Sequence, residues 1–384
     1  MFSTIWFDRR LRSWGLQLLL LAAVAGGLGW LAWNAQANLA RRGITSGFGF
    51  LEQAARFPIS ESLLAYDTSD SFGHAFLVGI TNTLFVSSLV ILFSTVLGVG
   101  LALARRSRHP LVSGSATVYL EVIRNTPLVV QLLFWYAMLT VALPPARQAL
   151  SPLPGVFLSV RGLYFPKLAW SGDTTGFWIA AAVSLLAVIA AVCLRPTLRL
   201  RHGIRFPLVR VTLVAAACMT GLAYWAGCVG IGLDVPHLRG LNFTGGTTYT
   251  PEFTALLIGL VFYSTAFSGE IIRGGIDAVP AGQWEAGHSL GVRRWHLLRL
   301  IVFPQALRII LPPMTSQYLS IIKNSTLALA VGYPDLSFVV ATTINQTGQA
   351  IEGILILMGV FLAISLTVSL LMNAYNRRLT LVQR

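Results

Sequence analysis

Apolar and polar positions alternate along this chain in long blocks, not with the short periods of a soluble helix or strand. Eight apolar blocks are each long enough, at about 1.5 Å rise per residue, to cross roughly 30 Å of hydrocarbon as an α-helix. They lie at residues 14–33, 79–104, 116–142, 177–194, 207–230, 254–272, 309–331 and 353–374. The pattern therefore predicts an all-α membrane protein with about eight transmembrane helices.

Two polar segments between these blocks, at about residues 34–78 and 143–176, are rich in Gly, Pro, Ser and Thr and lack clear periodicity. Such segments predict ordered external loops with short helices or turns. The chain thus divides into an N-terminal membrane anchor with an external segment (residues 1–78) and a transmembrane domain (residues 79–380). A region inserted at residues 143–250 carries an extra pair of spans.

The basic residues are distributed unequally between the two sets of helix ends. One set holds the arginine clusters at residues 9–12, 105–108, 195–210, 273–308 and 377–384. The opposite ends hold far fewer basic residues, namely Arg41, Arg42, Arg56, Arg147, Arg161, Lys167 and Arg239. Because the richer side of a membrane protein is cytoplasmic, both termini are predicted to face the cytoplasm.

Composition agrees with a membrane protein, since 55% of the residues are hydrophobic and only 11% are charged. Soluble domains carry roughly 25% charged residues. The net charge of +14 would suit nucleic acid, but the arginines lie in short loops and not on one folded face. We therefore expect no nucleic acid partner. The cysteines Cys193, Cys218 and Cys228 lie in or beside apolar blocks without metal-ligand spacing, so no metal site is expected.

The first apolar block has two interpretations. Basic residues precede its Leu/Ala run, and Ala35-Gln36-Ala37 has the small-x-small form of a signal-peptidase site. The run is longer than the usual signal-peptide core of about 7–15 residues. This length favours an uncleaved anchor over a cleaved signal peptide.

Catalytic motifs are missing from the sequence. A nucleotide-hydrolysing P-loop needs Gly-Lys-Ser/Thr, whereas the only lysines are Lys167 after Pro166 and Lys323 after Ile322. No His–carboxylate pair has the spacing of an intramembrane metalloprotease. We expect neither an enzyme nor a bound cofactor. An ion-driven transporter would be expected to show repeated halves with broken spans, and no convincing repeat is present.

One basic stretch, residues 283–313, lies between two apolar blocks. Pro280 suits the first turn of a short helix, and Gly291 can end that helix in the left-handed conformation. A second helix is predicted with Val292, Trp295, Leu298 and Val302 on one face. Pro304 is predicted to stop or kink it. Such a helix-turn-helix could lie on the lipid surface or dock on another protein.

The same stretch resembles the cytoplasmic signature of ABC importer permeases, which reads Glu-Ala-Ala, three residues, Gly, nine residues, Ile-x-Leu-Pro. The matching residues are Glu285, Ala286, Gly287, Gly291, Ile301, Val302, Phe303 and Pro304. Gly287 replaces the second Ala, and Phe303 replaces Leu. Further segments, at residues 81–84, 121–128, 269–276, 304–306 and 311–313, resemble the polar amino acid subgroup of these permeases. The longer middle region resembles the general L-amino acid members.

This resemblance implies a type I ABC importer permease in the bacterial inner membrane, translocating L-amino acids by alternating access. Its implied partners are a separate ATPase that binds ATP and Mg²⁺, a periplasmic amino-acid-binding protein and a second permease, for which a paralogue is favoured. The stretch 285–304 would be the coupling helix. Its implied ATPase-coupling residues are Glu285, Ala286, Gly287, Gly291, Ile301 and Pro304.

Ionisable residues at membrane depth raise a separate question, because such charges are costly and generally face a bundle interior or a water cavity. They are Glu121, Arg124, Glu270 and Lys323. The i, i+3 spacing predicts the ion pairs Glu121–Arg124 and Glu270–Arg273. These charges could stabilise the bundle or line the substrate path. Uncharged path candidates beside them are Asn125, Thr126, Asn324, Ser325 and Thr326. The sequence leaves open both the role of these charges and which amino acids are carried.

Overall fold

The computed structural model describes residues 9–41, 47–171, 182–188, 190, 212–217, 221 and 230–380. The chain divides into two compact units, one from Met1–Tyr136 with Ala255–Arg384 and one from Ala137–Thr254. The predicted fourth and fifth spans, residues 177–194 and 207–230, lie mostly outside the described residues. Residues 182–188 and 212–217 within them are helical. The count of eight spans therefore stays a prediction.

Helices dominate the first unit. In chain order they are α1 Arg9–Arg41, α2 Phe72–Arg105, α3 Pro110–Asn125, α4 Leu128–Ala137, α5 Pro251–Asp277, α6 Ala281–Ser289, α7 Arg294–Leu297, α8 Phe303–Asn324, α9 Leu336–Thr347 and α10 Ala350–Thr380. Among the described residues, five helical segments are long and apolar enough to cross a membrane, at Ser13–Ala35, Phe72–Arg105, Pro251–Asp277, Trp295–Ala330 and Ala350–Asn376. These five correspond to the predicted first, second, sixth, seventh and eighth spans.

The predicted third span is not one straight helix. It is divided into Pro110–Asn125 and Leu128–Ala142, which are bent by 104° at Thr126-Pro127. Proline has no N–H to donate and disfavours helical geometry in the preceding residue, and Thr126 is accordingly extended, with φ −101° and ψ 129°. Gln131 compensates for the break, because its amide donates to the Ile123 and Thr126 carbonyls at 2.9 and 3.0 Å.

Close backbone approach positions α2 against α5. A Cβ on Gly98 would lie 3.1 Å from both Gly269 N and Ser268 Cβ. At the other end of α2, Asn82 donates to the Pro334 carbonyl at 2.9 Å, and the Thr83 hydroxyl accepts the Leu336 N–H at 3.0 Å. The Thr-Asn-Thr-Leu motif at residues 81–84 therefore holds the start of α9.

Two apolar clusters form the described core of this unit. One joins the 3₁₀ helix Phe48–Glu52 to α2 and α9 through Phe50, Phe72, Phe76 and Val339. The other contains Ala102, Ile272, Ile276, Val279, Leu297, Val302, Ala306, Ile310 and Met314. The second cluster packs the ends of α2 and α5 against α7 and the start of α8.

The second unit contains β-strands, whereas the sequence pattern predicted short helices or turns for its external segment at residues 143–176. One antiparallel sheet has the order β1-β2-β3-β8, from Leu150–Leu153, Val156–Ser159, Gly162–Phe165 and Thr247–Tyr249. Two antiparallel pairs are β4 Lys167–Ser171 with β5 Gly230–Asp234, and β6 His237–Arg239 with β7 Asn242–Thr244. Phe243 stacks on Phe157 and packs at a tilt against Tyr164, with ring centroids 4.6 and 4.7 Å away. The predicted helical fold class describes the spans, whereas the inserted region also contains β-strands.

Candidate functional site

The basic stretch between α5 and α8 folds as a helical hairpin, defined here as α6, the turn at residues 290–293 and α7. The predicted left-handed end of α6 is confirmed, since Gly291 has φ +69°. Gly291 N–H donates to the His288 carbonyl at 2.9 Å, and Val292 N–H donates to the Gly287 carbonyl at 3.1 Å. These bonds satisfy carbonyls that the end of a helix leaves unpaired.

Gly287 brings α6 close to α7. A Cβ at this position would lie 2.2 Å from Leu297 Cδ1, and Leu297 is fully buried. The replacement of the signature's second Ala by Gly287 therefore leaves room for the Leu297 side chain. The sequence analysis did not identify Leu297 as the partner of Gly287. The local sequence offers one weak hint, a leucine ten residues after a small residue.

The predicted apolar face of the second helix is partly wrong. Val302 is buried and both Val292 and Leu298 are half-buried, but Trp295 is 66% exposed. The backbone changes from α-helix to a π-helix at Leu298–Val302. Since a π turn contains more residues than an α turn, the register shifts and Leu297 enters the core in place of Trp295.

Of the two outcomes predicted for Pro304, a stop or a kink of the helix, the stop is wrong. Pro304 lies in the first turn of α8, directly after the π-helix, where a missing N–H is tolerated. Ile301 is half-buried in the same cluster as Val302. The hairpin therefore continues without an intervening loop into the span Trp295–Ala330.

The hairpin and the π-helix that follows it expose polar and apolar side chains. Glu285 and Ala286 are exposed on α6, Leu290 at the turn is 80% exposed, and Trp295 on α7 and Leu300 in the π-helix are each 66% exposed. One carboxylate, one small residue and three large apolar side chains are thus exposed in this stretch. Such a surface is suited to insertion into a groove of a partner protein.

Five charged side chains lie beside the hairpin and form what we call the charge network: Arg105, Arg106, Glu270, Arg273 and Asp277. The predicted pair is confirmed, because Arg273 donates to Glu270 at 2.5 and 3.2 Å. Arg273 also donates to Asp277 at 2.7 Å. Arg105 pairs with Glu270, and Arg106 pairs with Asp277.

Sequence reasoning missed three members of this network, Arg105, Arg106 and Asp277. A weak signal was present, since residues 270, 273 and 277 recur at the spacing of one helix face. The arginines belong to α2, more than 160 residues away in sequence. No local pattern connects them to α5.

The predicted ion pair between Glu121 and Arg124 is wrong. Glu121 accepts a hydrogen bond from Asn125 Nδ2 at 3.2 Å. The Arg124 guanidinium lies 5.4 Å from the Phe267 ring centroid, as in a cation–π contact. An aromatic face on the neighbouring helix α5 therefore takes the place of the carboxylate three residues away.

The remaining path candidates fall into two groups. Glu121, Arg124 and Asn125 are exposed at the end of α3, and Thr126 is half-buried. At the end of α8, Lys323 is exposed, Asn324 is half-buried, and the half-buried Thr326 donates to the Lys323 carbonyl at 2.7 Å. Within the described ranges no hydrogen bond or ion pair joins the two groups, and no cluster of His, Cys, Asp or Glu has the arrangement of a metal site.

Comparison with known proteins identifies the family. The family model described as "Binding-protein-dependent transport system inner membrane component" matches residues 214–381. The putative amino-acid ABC transporter permease protein YhdX of Escherichia coli is 46% identical over 377 residues, or 97% of this chain and 95% of that protein. The chain belongs to the amino acid ABC transporter permease family.

Two further relatives span nearly the whole permease. The general L-amino acid transport system permease protein AapQ of Rhizobium johnstonii is 38% identical to this chain. The alignment covers 100% of this chain and 96% of AapQ. The glutamate/glutamine/aspartate/asparagine transport system permease protein BztB of Rhodobacter capsulatus is 34% identical, with 100% and 97% coverage. The solved structure titled "Crystal structure of an amino acid ABC transporter with histidines" matches with a TM-score of 0.48 at 21% identity, covering 80% of this chain and 95% of that chain.

Family membership confirms two predictions. One is the resemblance that the motifs indicated, and the other is the type I ABC importer fold. The permease is the membrane-spanning subunit of an ABC importer and is not itself an enzyme, because ATP hydrolysis in this family belongs to a separate subunit. Members of the family are inner membrane components that work with a binding protein.

Proposed function

We propose that this permease translocates L-amino acids, delivered by a periplasmic binding protein, across the bacterial inner membrane. The identity of 46% with YhdX over nearly the whole chain supports the substrate class, as does the name of AapQ. ATP and Mg²⁺ bind to the partner ATPase and to no site on the permease. Residues 1–78 supply the membrane anchor, and residues 79–380 supply the permease domain with its insertion at 143–250.

The second permease of the complex is proposed to be a paralogue. BztB shares its system name with BztC of the same organism, which is 28% identical to this chain over 214 residues. Two related permeases therefore carry the name of one transport system in Rhodobacter capsulatus. By analogy the permease described here pairs with a related but different chain.

The hairpin is proposed to be the coupling element that seats on the ATPase. The alternative, an amphipathic loop on the lipid surface, needs a free apolar face. Leu297 of the hairpin and Val302, which follows it, are instead buried against Ile272, Ile276 and other residues of the second core cluster. The side chains that stay exposed are a mixed set, Glu285 and Ala286 with Leu290, Trp295 and Leu300. The carboxylate within this set favours docking on a protein over burial in lipid.

Path roles are proposed for the two groups of residues at the ends of α3 and α8 and not for Glu270. Glu121, Arg124, Asn125 and Thr126 form one group, and Lys323, Asn324 and Thr326 form the other. Both present ionisable and hydrogen-bonding groups that could contact an amino acid in the assembled channel. Glu270 is held between two arginines in the charge network, so its proposed role is structural.

Gly291→Val tests the coupling role of the hairpin. A β-branched residue at φ +69° is strained by roughly 1–2 kcal/mol, which should rotate α6 relative to α7. We expect normal membrane level, weaker ATPase co-purification and loss of amino acid uptake. All three quantities are measured on the complex expressed from its complete set of subunits.

Gly240→Val is the matched control. Gly240 has φ +68° and open space around its Cβ, as Gly291 does, but it lies in the inserted unit. The control should keep ATPase association. Normal uptake by Gly291→Val would contradict the coupling role, and loss of ATPase from both variants would mean that backbone strain anywhere disrupts the complex.

A further inference from the structure

Arg106 contacts three different elements at the point where the hairpin meets the spans. It caps the end of α2, where its backbone N–H donates to the Ala102 carbonyl at 3.3 Å. Its guanidinium pairs with Asp277, the last residue of α5. The same guanidinium lies 5.4 Å from the ring centroid of Trp284 on α6. One side chain thus connects α2, α5 and the hairpin.

We propose that Arg106 is a positioning residue that transmits movement of the hairpin to the spans through the charge network, an inference that rests on the proposed coupling role of the hairpin. The network extends the contact along α5, because Asp277 binds Arg273, Arg273 binds Glu270, and Glu270 binds Arg105. Residues 270 to 277 cover about two helical turns, or roughly 10 Å of α5. A displacement of Trp284 therefore reaches α2 and α5 together.

The backbone alone provides a weaker connection. Only Ala278, Val279 and Pro280 separate α5 from α6. Gly287 packs on Leu297, and Gln305 donates a hydrogen bond to Gln283 at 3.3 Å, so these two contacts join α6 to the helices that follow it. Trp284 also packs against the apolar cluster that contains Ala102 of α2. Arg106 adds to this packing an ion pair with α5 and a cation–π contact with α6.

Ordinary cytoplasmic arginines of a membrane protein are solvated or contact lipid headgroups. The two arginines of the network differ, because the side chains of Arg105 and Arg106 are only 22% and 27% exposed. Trp284 is half-buried. Partial burial strengthens both the ion pair and the cation–π contact, since water competes less for the guanidinium. These contacts are therefore suited to transmitting a displacement of α6 to α2 and α5.

The test is Arg106→Gln in the complete complex with its ATPase and substrate-loaded binding protein. ATPase co-purification should stay normal, because the exposed surface around Glu285 is unchanged. Stimulation of ATP hydrolysis by the loaded binding protein should fall about fivefold or more, the size of a typical coupling energy between sites. Uptake should fall with it. Arg108→Gln, an exposed arginine two residues away, is the control and should keep stimulation.

A conservative variant separates transmission from general stability. Arg106→Lys keeps the positive charge beside Asp277 and should retain part of the stimulation that Arg106→Gln loses. It should not reach the wild-type level, because an ammonium lacks the planar guanidinium that stacks on Trp284. Full stimulation in Arg106→Gln, or loss of the ATPase from that variant, would overturn the inference. Normal uptake by Gly291→Val would instead overturn the coupling role of the hairpin, so the two failures are distinguishable.

Discussion

At position 287 a Cβ atom would lie 2.2 Å from Leu297, so the packing of the hairpin requires glycine at this position. The family signature has Ala there, and this chain pairs Gly287 with a large, fully buried leucine. The two positions must be considered together, because a larger residue at one requires a smaller residue at the other.

Asp335 is a buried carboxyl group between the span that ends at Ala330 and the span that begins at Ala350. Its Oδ1 accepts the Phe338 N–H at 2.9 Å and caps α9. Burial raises the pKa of Asp335 from its ordinary value of 3.8 to about 7, although hydrogen bonds from Phe338 and Ser337 oppose the shift. The folded protein therefore holds a proton that the unfolded chain releases at lower pH.

This difference predicts that stability decreases as pH rises from about 4 to about 7, by at most about 4 kcal/mol. Asp335→Asn cannot ionise and keeps the cap, since Asn is also a good N-cap residue. The variant should match wild type near pH 4 and unfold at a higher temperature than wild type near pH 8. The measurement is thermal unfolding of the purified permease in detergent across this pH range.

Asp67→Asn is the control for Asp335. Asp67 is exposed, and hydrogen bonds from the backbone and side chain of Ser69 lower the pKa of its carboxyl group. That substitution should give no gain in stability at the alkaline end. A wild-type unfolding temperature that changes with pH in the same way as that of Asp335→Asn would contradict the prediction.

At the scale of the element, the helix pair α3–α4 shows how one side chain sustains a break in a span. Gln131 is 6% exposed and donates to the Ile123 carbonyl, which would have paired with an N–H at position 127, and to the carbonyl of the extended Thr126. Gln131→Leu should leave both carbonyls unpaired, at about 1–3 kcal/mol each. We expect a lower unfolding temperature and reduced uptake at normal membrane insertion, measured in detergent and in cells.

Gln131→Glu is the informative partner variant, because it keeps the size of the side chain and removes the N–H donors. It should be at least as destabilising as Gln131→Leu. Gln148→Leu, at an exposed glutamine outside α4, should have little effect. Wild-type stability in Gln131→Leu would mean that water satisfies the carbonyls at the break.

At the scale of the whole molecule, the predicted orientation can be tested with single cysteines in a variant that lacks Cys193, Cys218 and Cys228. His109 lies in the exposed connection between α2 and α3, and Ser62 lies in the exposed segment before α2. A membrane-impermeant thiol reagent should label Ser62→Cys in intact cells and should label His109→Cys only after the inner membrane is opened. The reverse pattern would mean that both termini face the periplasm.

The helices α1 and α10 extend this picture. None of the most apolar stretch of either helix is buried within the chain. The apolar residues of these helices that stay exposed are therefore expected to contact lipid or another subunit.

The features that sequence alone predicted correctly are local. Apolar runs of membrane length, the left-handed Gly291 and the pair Glu270–Arg273 each depend on residues that are adjacent or within one helical turn. Helical geometry and backbone sterics relate such residues without reference to the rest of the chain. Motifs spread along the chain predicted the family, although not the arrangement of its side chains.

Tertiary structure decided which faces meet. Arg105 joins Glu270 across 165 residues, and Asn82 joins Pro334 across 252. Leu297 replaced Trp295 in the core because a π turn shifted the register. Arg124 contacts the Phe267 ring and not the carboxylate of Glu121, one helical turn away. In each case the packing of helices brings together residues that are far apart in sequence. The helical period of a single sequence relates only residues on the same helix, so it carries no information about such contacts.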